Sequence, residues 1–158
     1  MSTAPRSQPW STRLARIEPM DLVRFMVGSV FLSEGIQKFL FPAELGVGRF
    51  VKIGIAWPEV MAPFVGVVEI GGGLLLIVNV LPLYSAIALL IDISVAILST
   101  KIPILLGRPF GPFSLAKLPS YGIWSFLHEA RTDWCMFLGC LAAILDCVRR
   151  RDPGAVSS

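Results

Sequence analysis

The sequence predicts an all-α integral membrane protein: a bundle of four transmembrane helices running up-down-up-down, with an interfacial or re-entrant segment before the last. Three observations carry that prediction. Of 158 residues, 54% are hydrophobic and only 16% charged, with a mean hydropathy of +0.72, whereas soluble domains are about a quarter charged. Four apolar runs each approach the roughly 20 residues that cross about 30 Å of hydrocarbon. The formal charge of +3 gathers at the two ends, with Arg6, Arg13 and Arg16 before the first run and Arg149, Arg150 and Arg151 after the last. Such clusters mark cytoplasmic flanks. A nucleic-acid partner would need a basic face on a folded soluble domain, and none is expected.

The runs are "DLVRFMVGSVFLSEGIQKFLF" (21–41), "PEVMAPFVGVVEIGGGLLLIVNVL" (58–81), "PLYSAIALLIDISVAILST" (82–100) and "TDWCMFLGCLAAILDCV" (132–148). Pro42, Pro58, Pro82 and Pro103 stand near their boundaries, where proline harms a helix least. Runs two and three are joined by a tight turn around Asn79 to Leu83, so they are antiparallel neighbours. The domain plan is then a flexible cytoplasmic tail at 1–20, a membrane domain at 21–148 and a second cytoplasmic tail at 149–158. No short apolar core with a small-residue cleavage site occurs in residues 1–20, so the first run is expected to stay in the mature protein.

Two connections have their own character. Residues 102–131 are rich in Pro, Gly and aromatics and too broken to span, so they are expected along the interface with Tyr121, Trp124 and Phe126 as anchors. The first loop, "PAELGVGRFVKIGIAW", is expected to lie along the interface through a short amphipathic piece ending at Trp57.

Charged groups inside the runs carry the functional question, because each would cost about 3 kcal/mol facing lipid at mid-bilayer and so turns inward and pairs. Arg24, Gly28, Phe31, Gly35 and Lys38 form one helical stripe with Glu34 at its edge. Glu69 shares a face with Ala62, Gly66 and Gly73; Asp92 shares one with Ser85, Ala88, Ala96 and Ser99. At ~1.5 Å per residue, Glu34, Glu69 and Asp92 fall in one layer near mid-membrane, capped on the outer side by Lys38 and Arg131 beside Asp133. Arg24 and Asp146 fall near the inner boundary and are expected to pair there. Such a set suits a pocket for a proton-coupled or quinone-like ligand, and it equally suits an architectural network that fixes helix register.

Several chemistries are set aside on spacing. His128 is the chain's single histidine, so a bis-His haem is out, and "HEART" lacks the second His of a zinc helix. No metal site is expected. His128 and Glu129 are placed at the wet rim of the polar layer. Gly71 to Gly73 lie inside an apolar run, not after a strand, so they are no dinucleotide loop. Cys135, Cys140 and Cys147 contain no Cys-x-x-Cys pair, which argues against a thiol relay; they read as small buried apolar residues.

Arg24 and Gly28, Gly35 with Lys38 in "EGIQKF", Glu69 with Gly72 and Gly73 in "VEIGGGLLL", Asp92 and Ala96 in "DISVAI", and "HEARTDWCMFLG" together resemble the bacterial DoxX family over about residues 20–147. The resemblance implies a four-helix protein of the bacterial inner membrane, related to a subunit of a thiosulfate:quinone oxidoreductase. It implies at most a quinone-handling subunit of a membrane redox complex, not catalytic alone, with no covalently bound cofactor, quinone as the ligand, a redox partner subunit and room for an oligomer. The alternatives are a structural or assembly protein of the envelope, or small-solute transport, for which the internal duplication common in transporters is missing.

Overall fold

A computed structural model describes residues 18–151 of the protein. The tail assignments for residues 1–17 and 152–158 lie outside that range. Among the described residues the secondary structure is helical, apart from one isolated bridge between Phe110 and Phe113.

Helix α1 spans Pro19–Leu40, α3 Pro58–Ile77, α4 Pro82–Ala96 and α7 Arg131–Arg151, with α2 (Val47–Ile53), α5 (Ile102–Leu106) and α6 (Ile123–Glu129) as short connectors. Three of the long helices open on proline, whose missing N–H is no loss at a first helical position. That is why α1 begins at Pro19, two residues into the expected tail. The Asp21 carboxylate closes this end by accepting the Glu18 N–H at 3.0 Å.

The long helices form a ring of neighbours: α1 packs on α3, α3 on α4, α4 on α7 and α7 on α1. Their pairings run in opposite directions. Gly28 faces Gly73 and Gly35 faces Gly66, so α1 and α3 are antiparallel and touch backbone to backbone; a Cβ on Gly28 would sit 2.6 Å from the Gly73 carbonyl oxygen. Between α3 and α4, Asn79 (φ 57) and Leu81 (φ 49) adopt left-handed backbone to make the turn. Inside the ring Val27, Phe31, Leu76, Leu89, Ile93, Met136 and Cys140 build the core.

Outside, each long helix presents large apolar side chains at helical spacing: Val60, Phe64 and Val67 on α3; Tyr84, Ile87, Ile91 and Val95 on α4; Trp134, Leu138, Leu141, Leu145 and Val148 on α7. Leu22, Phe25, Phe39 and Leu40 do the same on α1. A surface this apolar is that of a protein solvated by lipid. Helix α3 and the continuous helix from Pro82 to Leu106, 25 residues long, are by length and composition able to cross a membrane.

Two expectations are corrected. The third run does not stop at residue 100: a π-helical turn at Ile97–Lys101 carries the helix on into α5. Pro103 has no N–H to give the preceding turn, and a widened turn is a common way for a helix to absorb such a fault. The Asp92 face of this helix does turn inward, with Ser85 and Ser99 buried and Asp92 and Ala96 facing the cavity between the long helices, while Ala86, Leu89 and Ile93 beside it supply the apolar core. Cys140 and Cys147 are buried as expected, while Cys135 is exposed.

Past α5 the chain turns at Gly107 (φ 63) and runs without regular structure to α6. This connection is pinned: the Ser114 N–H donates to the Ile53 carbonyl at 2.8 Å and the Gly122 N–H to the Ile104 carbonyl at 3.1 Å. It thereby closes over the end of the ring where α2 also lies.

Candidate functional site

A cavity of about 350 Å³ opens between the four long helices at that end, within the range of small-molecule pockets. Helix α1 brings Glu34 and Lys38 to its wall, α3 brings Glu69, α4 and the π-turn bring Asp92 and Lys101, and the start of α7 brings Asp133, with Glu129 from α6. Apolar walls are supplied by Phe31, Ile93 and Met136.

Lys38 and Glu69 are its centre. The Lys38 Nζ donates to Glu69 Oε1 at 2.8 Å and lies 2.6 Å from Oε2. The second contact is off the hydrogen-bond direction, so Oε2 is buried with no hydrogen-bond partner among the described residues. The Glu69 side chain is 6% exposed and that of Lys38 12%, so both charges are largely stripped of water and depend on each other. Glu69 is inward because Ala62, Gly66 and Gly73 on its face are small enough to be buried against α1.

A second pair, Lys101 Nζ to Asp133 Oδ2 at 3.3 Å, ties the π-turn to α7. Lys101 was not among the sequence candidates. It stands nine residues after Asp92, and at ~100° per residue a regular helix would put it on the far side. A π-turn winds more slowly per residue, rotating the residues beyond it by roughly a quarter turn. Periodicity read with one fixed pitch cannot find it; Pro103, two residues on, was the available signal.

Asp92 is half-buried, an electrostatic neighbour of Glu69, and makes no ion pair among the described residues. Glu34 also lines the cavity but is exposed, at its open side, matching its place on the edge of the α1 stripe. The expected layer of three acids is thus present with unequal roles: one paired, one unpaired and half-buried, one at the mouth.

Arg131 does not cap this layer. Its Nη1 donates to the His128 carbonyl at 3.0 Å and lies 2.9 Å from His128 Nε2, with the side chain exposed. As the first residue of α7, immediately after α6, it satisfies a free carbonyl at the α6 end instead. His128 is exposed and off the cavity wall, whereas Glu129 is on it.

Arg24 is elsewhere altogether. It is buried at the opposite end of the ring, where its guanidinium meets Asp146 of α7, as its depth predicted, and Asp21 one turn away. Arg150 shares Asp146 and also meets Glu18. Hydrogen bonds to Glu18 and Asp146 push the Arg150 pKa further up, fixing its charge.

Among the described residues no group of three or more His, Cys, Asp and Glu side chains is placed to hold a metal ion. The cavity's chemistry is that of ammonium donors, the exposed Arg49 guanidinium contributed by α2, carboxylates and an apolar wall. It can hold a carbonyl or hydroxyl oxygen and exchange protons with it.

Residues 20–102 match the family model described as DoxX. A membrane protein of Mycobacterium tuberculosis, itself named only as uncharacterized, is 44% identical over 119 residues, covering 75% of this chain and 69% of that protein. No solved structure matches. The matched family region holds Arg24, Glu34, Lys38, Glu69, Asp92 and Lys101 and ends before Asp133.

Proposed function

Because the chain belongs to the DoxX family, we propose that it is a four-span, up-down-up-down protein of the bacterial inner membrane that binds a quinone head group as a subunit of a redox complex. The apolar stripes on all four long helices support four crossings. The Arg149 to Arg151 cluster supports termini on the cytoplasmic side.

The observation that carries the ligand reading is the Glu69 oxygen left without a hydrogen bond in an apolar-walled cavity beside Lys38. A buried acceptor without a donor is costly and marks a place where a hydroxyl donor, the O–H of the reduced quinol or a water, completes the set. Lys38 and Lys101 are the donors that a quinone carbonyl would meet, with Phe31, Ile93 and Met136 against its ring. A quinone, when bound, supplies two-electron, two-proton chemistry. Asp92, free of an ion pair, is the residue able to hold and pass a proton, and Glu34 at the mouth connects it outward. Electrons come from a partner subunit.

The test is extraction of the protein in mild detergent and mass spectrometry of co-purified lipids. Quinone in stoichiometric amount, lost in Glu69→Gln, is the expected result; quinone absent from both sinks the reading. A purely architectural role is favoured by the two ion pairs, since Lys38–Glu69 ties α1 to α3 and Lys101–Asp133 ties α4 to α7. In that case amide substitutions lower the thermal midpoint and change no ligand.

A further inference from the structure

At the opposite end of the helix ring lies a second cavity, of about 330 Å³. Its wall includes Arg24 of α1, Asn79 and Leu81 of the turn, Tyr84 of α4, and Arg150 and Arg151 of α7; among the described residues no carboxylate lines it. Arg24 is only 4% exposed, and although its terminal nitrogens meet Asp21 and Asp146, its Nε has no hydrogen-bond partner among the described residues. Asp146 and Glu18 likewise hold Arg150 without joining the cavity wall. Acids standing outside the concavity therefore fix two of its three guanidinium groups.

We propose that this cavity seats a phosphate group, carried by a membrane phospholipid headgroup or as free phosphate. Guanidinium N–H groups bind phosphate oxygens through charge-assisted hydrogen bonds, and Arg24, already desolvated and oriented by its acids, offers its Nε–H without the usual ordering cost beside the exposed Arg150 and Arg151. The Asn79 side-chain amide adds a neutral donor. Val78, Val80, Leu81 and Tyr84 are exposed beside the opening, giving an acyl chain a surface to lie on. That continuity favours the lipid. This site is independent of the quinone reading, sharing none of its residues.

The experiment uses the full chain in neutral detergent, with native mass spectrometry against phosphatidylglycerol, against diacylglycerol, which has the same tails and no phosphate, and against inorganic phosphate as competitor. One phosphatidylglycerol is retained, diacylglycerol is not, and Arg150→Gln/Arg151→Gln weakens retention by about tenfold or more. Displacement by millimolar phosphate assigns the site to the free ion; its failure to displace assigns it to the lipid. Equal retention by wild type and double variant, or equal retention of diacylglycerol, overturns the proposal. Should the double variant lose its monodisperse gel-filtration peak, Arg151→Gln alone, at the exposed end of α7, carries the same comparison.

Discussion

Lys38, in the last turn of α1, reaches across to α3 and contacts both carboxylate oxygens of Glu69, and the two side chains bury their charges together. Neither charge has another ion-pair partner among the described residues, so each is the condition for the other's burial.

Breaking that pair from one side is expected to be severe. Lys38→Met leaves an uncompensated buried carboxylate and destabilises by about 3 kcal/mol or more, whereas Lys38→Met/Glu69→Gln recovers much of the loss. Thermal unfolding in detergent, run as a double-mutant cycle, measures it. Additive losses would show that the pair is not coupled.

The glycines of α1 and α3 divide sharply by what surrounds them. Gly73→Ala places a Cβ 2.6 Å from the Gly28 carbonyl oxygen and 2.9 Å from the Leu32 nitrogen, backbone atoms that cannot step aside, and costs about 1–3 kcal/mol. Gly71→Ala meets nothing within 4 Å and gains up to about 1 kcal/mol from helix propensity. Their thermal midpoints should move in opposite directions.

Asp92 separates function from architecture. With no ion pair to lose, Asp92→Asn is expected to keep a thermal midpoint close to wild type while altering how quinone retention depends on pH. A midpoint falling as far as in Lys38→Met would make Asp92 part of the scaffold.

The three thiols report burial and sidedness. Cys135 is exposed near the start of α7, while Cys140 and Cys147 are buried. A maleimide should therefore label one site in the folded protein and three after denaturation. If the termini are cytoplasmic, a membrane-impermeant maleimide labels Cys135 in whole cells with a permeabilised outer membrane. Labelling only in inverted vesicles would reverse the orientation.

Much of this was legible in the chain, and the exceptions share a cause. The α3 face of Ala62, Gly66, Glu69 and Gly73 is buried as its spacing requires, and Arg24 meets Asp146 as depth alone suggested. Those inferences needed only one pitch and one rise per residue. On α4 Ser85 and Ser99 are buried as the Asp92 stripe requires, yet Leu89 joins the core off that stripe because Gly72 leaves room for it: a Cβ there would lie 3.0 Å from the Leu89 side chain. Which helix face wins depends on the partner's shape, and no single run encodes that. Arg131 was misplaced because depth along a helix ignores what its end residues must cap.

Helix α4 owes its charge arrangement to one surplus residue in the turn at Ile97–Lys101. Deleting a single residue there would leave composition, hydropathy and every recognisable motif almost untouched. It would also return the helix to regular winding and swing Lys101 away from Asp133. Two relatives with near-identical sequences could then differ in whether α4 and α7 are cross-linked at all, so an insertion or deletion of one position at this turn is a better guide to how the cavity behaves than percentage identity.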